Sequence, residues 1–445
     1  MNILLIQPPI QDFYRTQFRE YPLGLLYLAA ALDKAGQTTK ILDARKCKKP
    51  KKIPIPKQLE HLSNFYHTDS SLFKAYYHFG MSDEEIRKLV KEYAPDILLI
   101  NAMFTPYVNE TLNTARVIKQ ALPHVRIFMG GHHATADPNS LLVDDTIDCV
   151  IRGEGEVSLS QILENQKLPR IYPEDKPLRI DDLDSIHPPA REKFNSNDYQ
   201  LGRKPYTMIL TSRGCPHQCS FCSAHTLSGH SYRTHSVDYV LDEIDGCVKH
   251  HGIQIIDLQD DNLLYDPDRI KILFEKIILK YDNQCPEFMA SNGLNVAHLD
   301  LELLKLMKQV GFLKLDLAIA TGACASRKKL NRPETLSHYE MILEQTVQLG
   351  VAVTTYIILG IPTQPLTEMK ETIKYLKTKP TLISPSIFYN VPGMPIFDKI
   401  QPYEHLHEHL ARRSSAINCF GDDFRREDIV ELLMDIRTHN QSKIK

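Results

Sequence analysis

Arg213-Gly214-Cys215-Pro216-His217-Gln218-Cys219-Ser220-Phe221-Cys222 places three cysteines at C-x3-C-x2-C spacing in a 445-residue chain that has only nine. One short loop can bring three such thiolates onto an iron-sulfur cube, and three ligands for four irons leave one iron open to a small chelating molecule. A cube with four cysteine ligands can only store or pass on electrons. Zinc motifs usually pair two C-x2-C units or add histidines at matching spacing. Neither pairing is present, although His217 and His225 lie near enough to keep a Cys3His zinc site open. Residues 206–212, just upstream, read as a strand that delivers the loop at its carboxyl end.

Downstream of the loop the chain repeats strand and helix. Residues 237–250 have a helical pattern, and 253–258 read as a strand ending in Gln259-Asp260-Asp261-Asn262. A strand over 288–292 precedes a helix over 300–310, a strand over 313–320 ends at Thr321-Gly322, and one over 351–359 ends at Gly360-Ile361-Pro362. Five or six such units predict a partial (β/α)6 barrel rather than a closed eight-stranded one. Ligand sites belong at the carboxyl ends of such strands.

Upstream, Met1 to Pro9 is a continuous apolar run of the kind a buried parallel strand shows. A helix over 22–35 ends at Gly36, and further strands are expected at 38–43, 96–102, 126–130 and 148–152. Helical patterns at 82–93, opened by a Ser-x-x-Glu capping box, and at 107–122 separate them. Alternation of this kind predicts a doubly wound, Rossmann-like sheet with a ligand crevice at its carboxyl edge. The loops at that edge carry Gln7-Pro8-Pro9, Asp43, 103–106 with Thr105, Gly130-Gly131-His132-His133 and Gly153-Glu154-Gly155-Glu156. The expected organisation is 1–165 for this domain, 166–204 for a proline- and charge-rich linker, 205–400 for the barrel and 401–445 for a small helical C-terminal cap.

Composition narrows the class. A net charge of −2 argues against a general nucleic-acid binder. No run of about 18 apolar residues and no signal peptide are present, so no membrane span is expected and the chain reads as cytoplasmic. An odd number of cysteines without secretory context points the same way. The basic run 45–52 reads as a solvated surface, and the aromatic stretch holding Phe65, Tyr66, Phe73, Tyr76, Tyr77 and Phe79 reads as packing between domains.

The cysteine motif, with an aromatic residue, Phe221, just before its last cysteine, resembles the signature of the radical S-adenosylmethionine (SAM) enzymes. The glycine-bearing strand ends upstream resemble the domain that precedes the barrel in the cobalamin (B12)-binding members of that family. The segment Pro385 to Pro395 resembles that group's closing Pro-Gly-Thr-Pro, with Met394 in place of Thr. The resemblance implies a [4Fe-4S] cluster on Cys215, Cys219 and Cys222 whose open iron is chelated by SAM. It also implies reductive cleavage of SAM to a 5'-deoxyadenosyl radical, and cobalamin on the first domain. By the same resemblance Asp260 or Asp261 meets the methionine amine, Asn292, Thr321 and Gly322 lie near the ribose, and Ile358 to Ile361 lies at the adenine. The implied cobalamin contacts are Gln7, Pro8, Asp43, Thr105, Gly130, Gly131, His132, Gly153 and Glu154. No Asp-x-His-x-x-Gly is present, so no histidine is assigned beneath cobalt. The expected activity is methylation of an unactivated carbon of a small molecule, as in the class B radical SAM methyltransferases, with electrons from flavodoxin or ferredoxin. Ring formation or rearrangement with the same cofactors stays open. A methylthiotransferase would need a second trio of cysteines, and only Cys47 and Cys149 precede the linker. A non-enzymatic metal or cobalamin carrier would have no need of a SAM-binding barrel.

Overall fold

The computed structural model describes residues 1–14, 21–47, 49–65, 72–163, 169–332, 334–397, 409–421 and 423–444. Lys48 of the basic run, Tyr66 of the aromatic stretch, the start of the expected linker and the start of the expected cap lie outside the described residues. The chain forms two compact units. The first comprises Met1–Lys193, Ser223–Gly229 and Asn390–Ala416, and the second Phe194–Cys222, His230–Tyr389 and Ile417–Lys445.

The first unit is a six-stranded parallel sheet in the order Thr38–Asp43, Asn2–Gln7, Ile97–Asn101, Arg126–Gly130, Cys149–Ile151, Ile171–Tyr172. Side chains alternate across its faces, as the strand period of two requires. Leu4 and Ile6 pack with Ile86, Val90, Leu112 and Ile118 from Asp83–Tyr93 and Val108–Ala121. Ile3 and Leu5 pack with Leu25, Ala29, Leu159 and Ile162 from Leu23–Lys34 and Gly155–Leu163. Both faces are therefore covered. The expected capping box forms, with Ser82 N donating to Glu85 Oε2 at 2.8 Å and Glu85 N to Ser82 Oγ at 3.4 Å. The order in which strands are added reverses between the parallel neighbours Asn2–Gln7 and Ile97–Asn101, so the crevice at their carboxyl ends is the topological switch point.

Two sequence expectations change here. Ile10–Asp12, Tyr76–Phe79 and Lys51–Ile53 form an antiparallel three-stranded sheet, so part of the basic run is a strand, and Arg45 before it is buried. Phe73 and Tyr76 pack within this unit, with Phe73 stacked on Phe13 at 4.4 Å and Tyr76 edge-on to Phe13 at 5.1 Å.

The end of the first unit, 409–416, is fastened by a buried ion pair. Arg413 Nη1 lies 3.1 Å from Asp12 Oδ2, and its Nη2 donates to Pro106 O at 2.8 Å. Tyr107 Oη donates to the same Asp12 oxygen at 2.8 Å. Beside them sits Glu110, whose pKa is pushed up to about 7 by burial, with Arg413 opposing. A carboxyl raised in the folded state contributes stability that is complete below its unfolded pKa and lost as pH rises through the folded value. Thermal stability should therefore fall between about pH 4.5 and pH 7 by roughly 3 kcal/mol on this account. Glu110→Gln should flatten that fall; melting curves at pH 5 and pH 8 with the same slope in both proteins would contradict it.

The second unit repeats strand and helix six times. Its parallel strands are Lys204–Ile209, Ile255–Leu258, Glu287–Met289, Lys314–Ala320, Ala352–Leu359 and Leu382–Ile387. Pairing between neighbours runs in chain order but divides into two four-stranded sheets, and Leu294–Asn295 rather than Glu287–Met289 pairs with Lys314–Ala320. The sixth helix is Arg426–Ile444, whose Asn440 brackets Ile383, accepting from its N at 3.0 Å and donating to its O at 2.8 Å. The region expected as one cap is thus divided, 409–416 lying in the first unit and this helix closing the array. Among the described residues, no helix is long and apolar enough to cross a membrane.

Candidate active site and cofactor-binding regions

The strand Lys204–Ile209 ends at Thr211-Ser212, and the buried Asp260 carboxylate holds that end. It accepts from Thr211 N at 3.2 Å and Thr211 Oγ1 at 2.8 Å, and from Ser212 Oγ. Asp261 accepts from Gly214 N at 2.9 Å, where φ is +87°. A positive φ is glycine's ordinary province, so the turn into Cys215 needs this residue. The two adjacent carboxylates therefore brace the loop from strand end to first cysteine. Burial pushes the Asp260 pKa up, against the pull of its Ser212 and Thr211 bonds.

Cys215, Cys219 and Cys222 form no disulfide. Asn262 Nδ2 lies 3.6 Å from Cys215 Sγ, and Cys222 N donates to Cys219 O at 3.1 Å. Burial raises the Cys215 pKa. A single tetrahedral zinc would draw its ligand atoms within about 4 Å of one another. Among the described residues, His133, Asp137 and His409 form a group with ligand atoms that close, within 4.8 Å, and the three cysteines do not. Three soft thiols carried on one short loop suit an iron-sulfur cube. The His133 group is a packing cluster instead. Thr105 Oγ1 lies 3.1 Å from His133 Nδ1 and Ser140 Oγ 3.0 Å from Nε2. Burial holds the His133 pKa down to about 3, helped by His409, His132 and Arg412.

The other residues expected around SAM lie at strand ends of the same array and are tied to one another. Asn292 Nδ2 donates to Gln259 O at 2.9 Å and Asp260 O at 3.3 Å. Thr321 Oγ1 donates to Glu368 Oε1 at 2.8 Å, and Gly322 N to Thr372 Oγ1 at 3.1 Å. Gln364 Oε1 accepts from Gly360 N at 3.0 Å and Ile361 N at 3.3 Å, while its amide donates to Glu368 at 3.1 Å. Gln364, just before Leu366–Lys377, and Glu368 in that helix's first turn thus join the ends of two strands, a role the sequence reading missed because it exists only once the strands meet. Ile358 is half-buried on Ala352–Leu359, paired in register with Ser386.

In the first unit, the expected corrin-side residues gather at the carboxyl edge of the sheet. Asn101 Nδ2 donates to Gln7 Oε1 at 3.4 Å, Arg45 Nε to Pro8 O at 3.1 Å, and Arg45 N to Asp43 Oδ1 at 3.1 Å. Gly130 ends its strand, and Gly131 follows with φ +120°. A Cβ there would meet Ala102 O and Asn101 Oδ1 at 3.0 Å each. At Gly153, φ is +86° and a Cβ would come within 2.2 Å of Leu178 O. Glu154 is buried and accepts from Ile180 N at 2.6 Å. His132 Nε2 lies 2.9 Å from Ser223 O, so that nitrogen is already engaged. Thr105 is buried against His133 as described. Gly131 and Gly153 let the backbone pass close to its neighbours at the carboxyl edge of the sheet, Gly131 beside the strand end at Asn101 that borders the switch point.

The sequence profile of the Radical SAM superfamily matches residues 209–376, and that of the B12 binding domain matches 73–163. Cytidylyl-2-hydroxyethylphosphonate methyltransferase of Streptomyces wedmorensis is 27% identical over 408 residues, covering 81% of this chain and 73% of that protein. Anaerobic magnesium-protoporphyrin IX monomethyl ester cyclase of Cereibacter sphaeroides is 24% identical over 352 residues, covering 73% and 57%. Among solved structures, the radical SAM methyltransferase TsrM from Kitasatospora setae, with cobalamin and [4Fe-4S] cluster bound, aligns with a TM-score of 0.69 at 14% identity, over 98% of this chain and 90% of that one. That likeness establishes the fold. The chain thus joins a radical SAM domain to a B12-binding domain, and its cofactors are a [4Fe-4S] cluster, SAM and cobalamin.

Proposed function

We propose that the chain methylates an unactivated carbon of a small biosynthetic intermediate. The observation that carries this reading is one chain holding both the three-cysteine loop on a six-unit βα array and a doubly wound domain matching the B12 profile. When bound, the cluster and SAM supply a 5'-deoxyadenosyl radical, and cobalamin supplies the methyl group. The protein's own part is placement. Cys215, Cys219 and Cys222 would hold the cluster, with Asp260 and Asp261 fixing the loop on which they sit. Asn292, Thr321, Gly322 and the backbone at Ile358 and Gly360 would contact SAM from strand ends held by Gln364 and Glu368. Gln7, Pro8, Asp43, Thr105, Gly130, Gly131, His132, Gly153 and Glu154 would line the corrin side. Radical chemistry needs position and dryness rather than a strong acid or base. The buried carboxylates of the array fit that need, because Asp257 and Asp260 are both spent on hydroxyl and backbone donors. Electrons would come from a low-potential flavodoxin or ferredoxin in a reducing cytoplasm, where the nine free cysteines persist.

Turnover with methyl-deuterated SAM and candidate substrates tests the reading. Equal formation of 5'-deoxyadenosine and S-adenosylhomocysteine, with label in the product, is expected. The likeness to a protein named as a cyclase supports a second reading, radical ring formation or rearrangement. Deoxyadenosine alone with an unlabelled rearranged product would establish that one and overturn methyl transfer.

A further inference from the structure

Residues 330–334 grip the middle of the cluster loop. Ser220 N donates to Leu330 O at 3.3 Å, and Asn331 Nδ2 donates to Gln218 O at 3.0 Å. The Asn331 carbonyl oxygen lies 3.8 Å from Cys219 Sγ. Asn331 takes φ +56°, a left-handed bend that asparagine tolerates better than most residues. The next residue, Arg332, follows directly on that contact, and the Cys219 sulfur is among the charges that favour its guanidinium. Its guanidinium is held from the other side as well. Nε donates to Glu334 Oε1 at 2.7 Å, and Nη2 donates to Ala318 O at 2.7 Å. The Arg332 and Glu334 side chains are only 12% and 1% exposed, so water screens this pair poorly. Burial works against the Arg332 charge, and Glu334 followed by Cys219 outweighs it.

We propose that Arg332, oriented by Glu334, is a positioning residue that sets the reduction potential of the cluster through Cys219. Reduction adds negative charge to the cluster, and hydrogen bonds and cations at a ligand sulfur stabilise the reduced form. Glu334 opposes that effect while holding the guanidinium in place. The two residues therefore pull the potential in opposite directions. The proposal rests on the three cysteines holding a four-iron cluster, and iron content reports on that reading separately from the potential.

The test is a redox titration of the full chain, reconstituted without oxygen and followed by the spin resonance of the reduced cluster. In Arg332→Gln/Glu334→Gln, the ratio of reduced to oxidised cluster at the wild-type midpoint should fall about tenfold, equivalent to ~59 mV for one electron. In Glu334→Gln alone the ratio should rise. Opposite shifts at wild-type iron content support the proposal, whereas no shift or shifts of one sign overturn it, since a merely structural brace would change iron content without moving retained clusters. Should the double variant lose its iron, Glu334→Gln decides alone: an upward shift sustains the proposal and an unchanged or lower potential ends it. A wild-type protein without about four irons would overturn the cluster reading itself.

Discussion

Replacing Cys215, Cys219 and Cys222 together by alanine should take bound iron from about four per chain to background and abolish reductive cleavage of SAM. Asn262 and the Asn331 carbonyl, which lie beside Cys215 and Cys219, are not soft anionic donors, and Nε2 of His217, the loop's histidine, is engaged with Asn295 at 3.1 Å. The fold should survive, because the loop is anchored by Asp260 and Asp261 through Thr211, Ser212 and Gly214 rather than through sulfur. Loss of SAM cleavage together with an unchanged melting curve is therefore expected. Iron and SAM cleavage retained in the triple variant would refute the assignment of these cysteines.

The second large effect concerns the first unit. Gly131→Val should reduce corrinoid uptake by about ten- to a hundredfold while leaving iron content intact. A φ of +120° strains a side-chain-bearing residue by roughly 1–3 kcal/mol, so the free turn relaxes to another shape, and restoring the native turn on binding would cost that energy at ~1.4 kcal/mol per tenfold in affinity. Its Cβ would also press on Ala102 O and Asn101 Oδ1, both at 3.0 Å. That contact moves the 102–106 loop, the other wall of the switch-point crevice. Titration with hydroxocobalamin reads the effect directly. Binding at wild-type affinity would show that the corrin does not use this turn.

Much of this arrangement was legible because it depends on local pattern. The strands Thr38–Asp43 and Arg126–Gly130 lie at their expected bounds to the residue, and Ser82 and Glu85 announce the helix they cap. The sixth strand of the array, Leu382–Ile387, was not legible as a strand. It contains Pro385, which a sheet tolerates only where no ladder donor is needed, and this strand lies at a sheet edge. The small antiparallel sheet escaped notice because Lys51–Ile53 has the charge of a solvated surface, and pairing with Tyr76–Phe79 is a long-range fact. At the site, residue types were readable and their partners were not. Asp260 was expected at an ammonium group, yet its oxygens meet Thr211 and Ser212, 49 and 48 positions earlier. Arg332 and Glu368 carried no motif, since their roles exist only once separate strands meet.

Iron, cobalt and SAM products measured in one preparation of the wild-type chain, reconstituted with iron, sulfide and cobalamin without oxygen, test the central claim most directly. About four irons and one cobalt per chain are expected, with 5'-deoxyadenosine released on reduction. A single zinc ion in place of iron, no cobalt, and SAM left intact would contradict it.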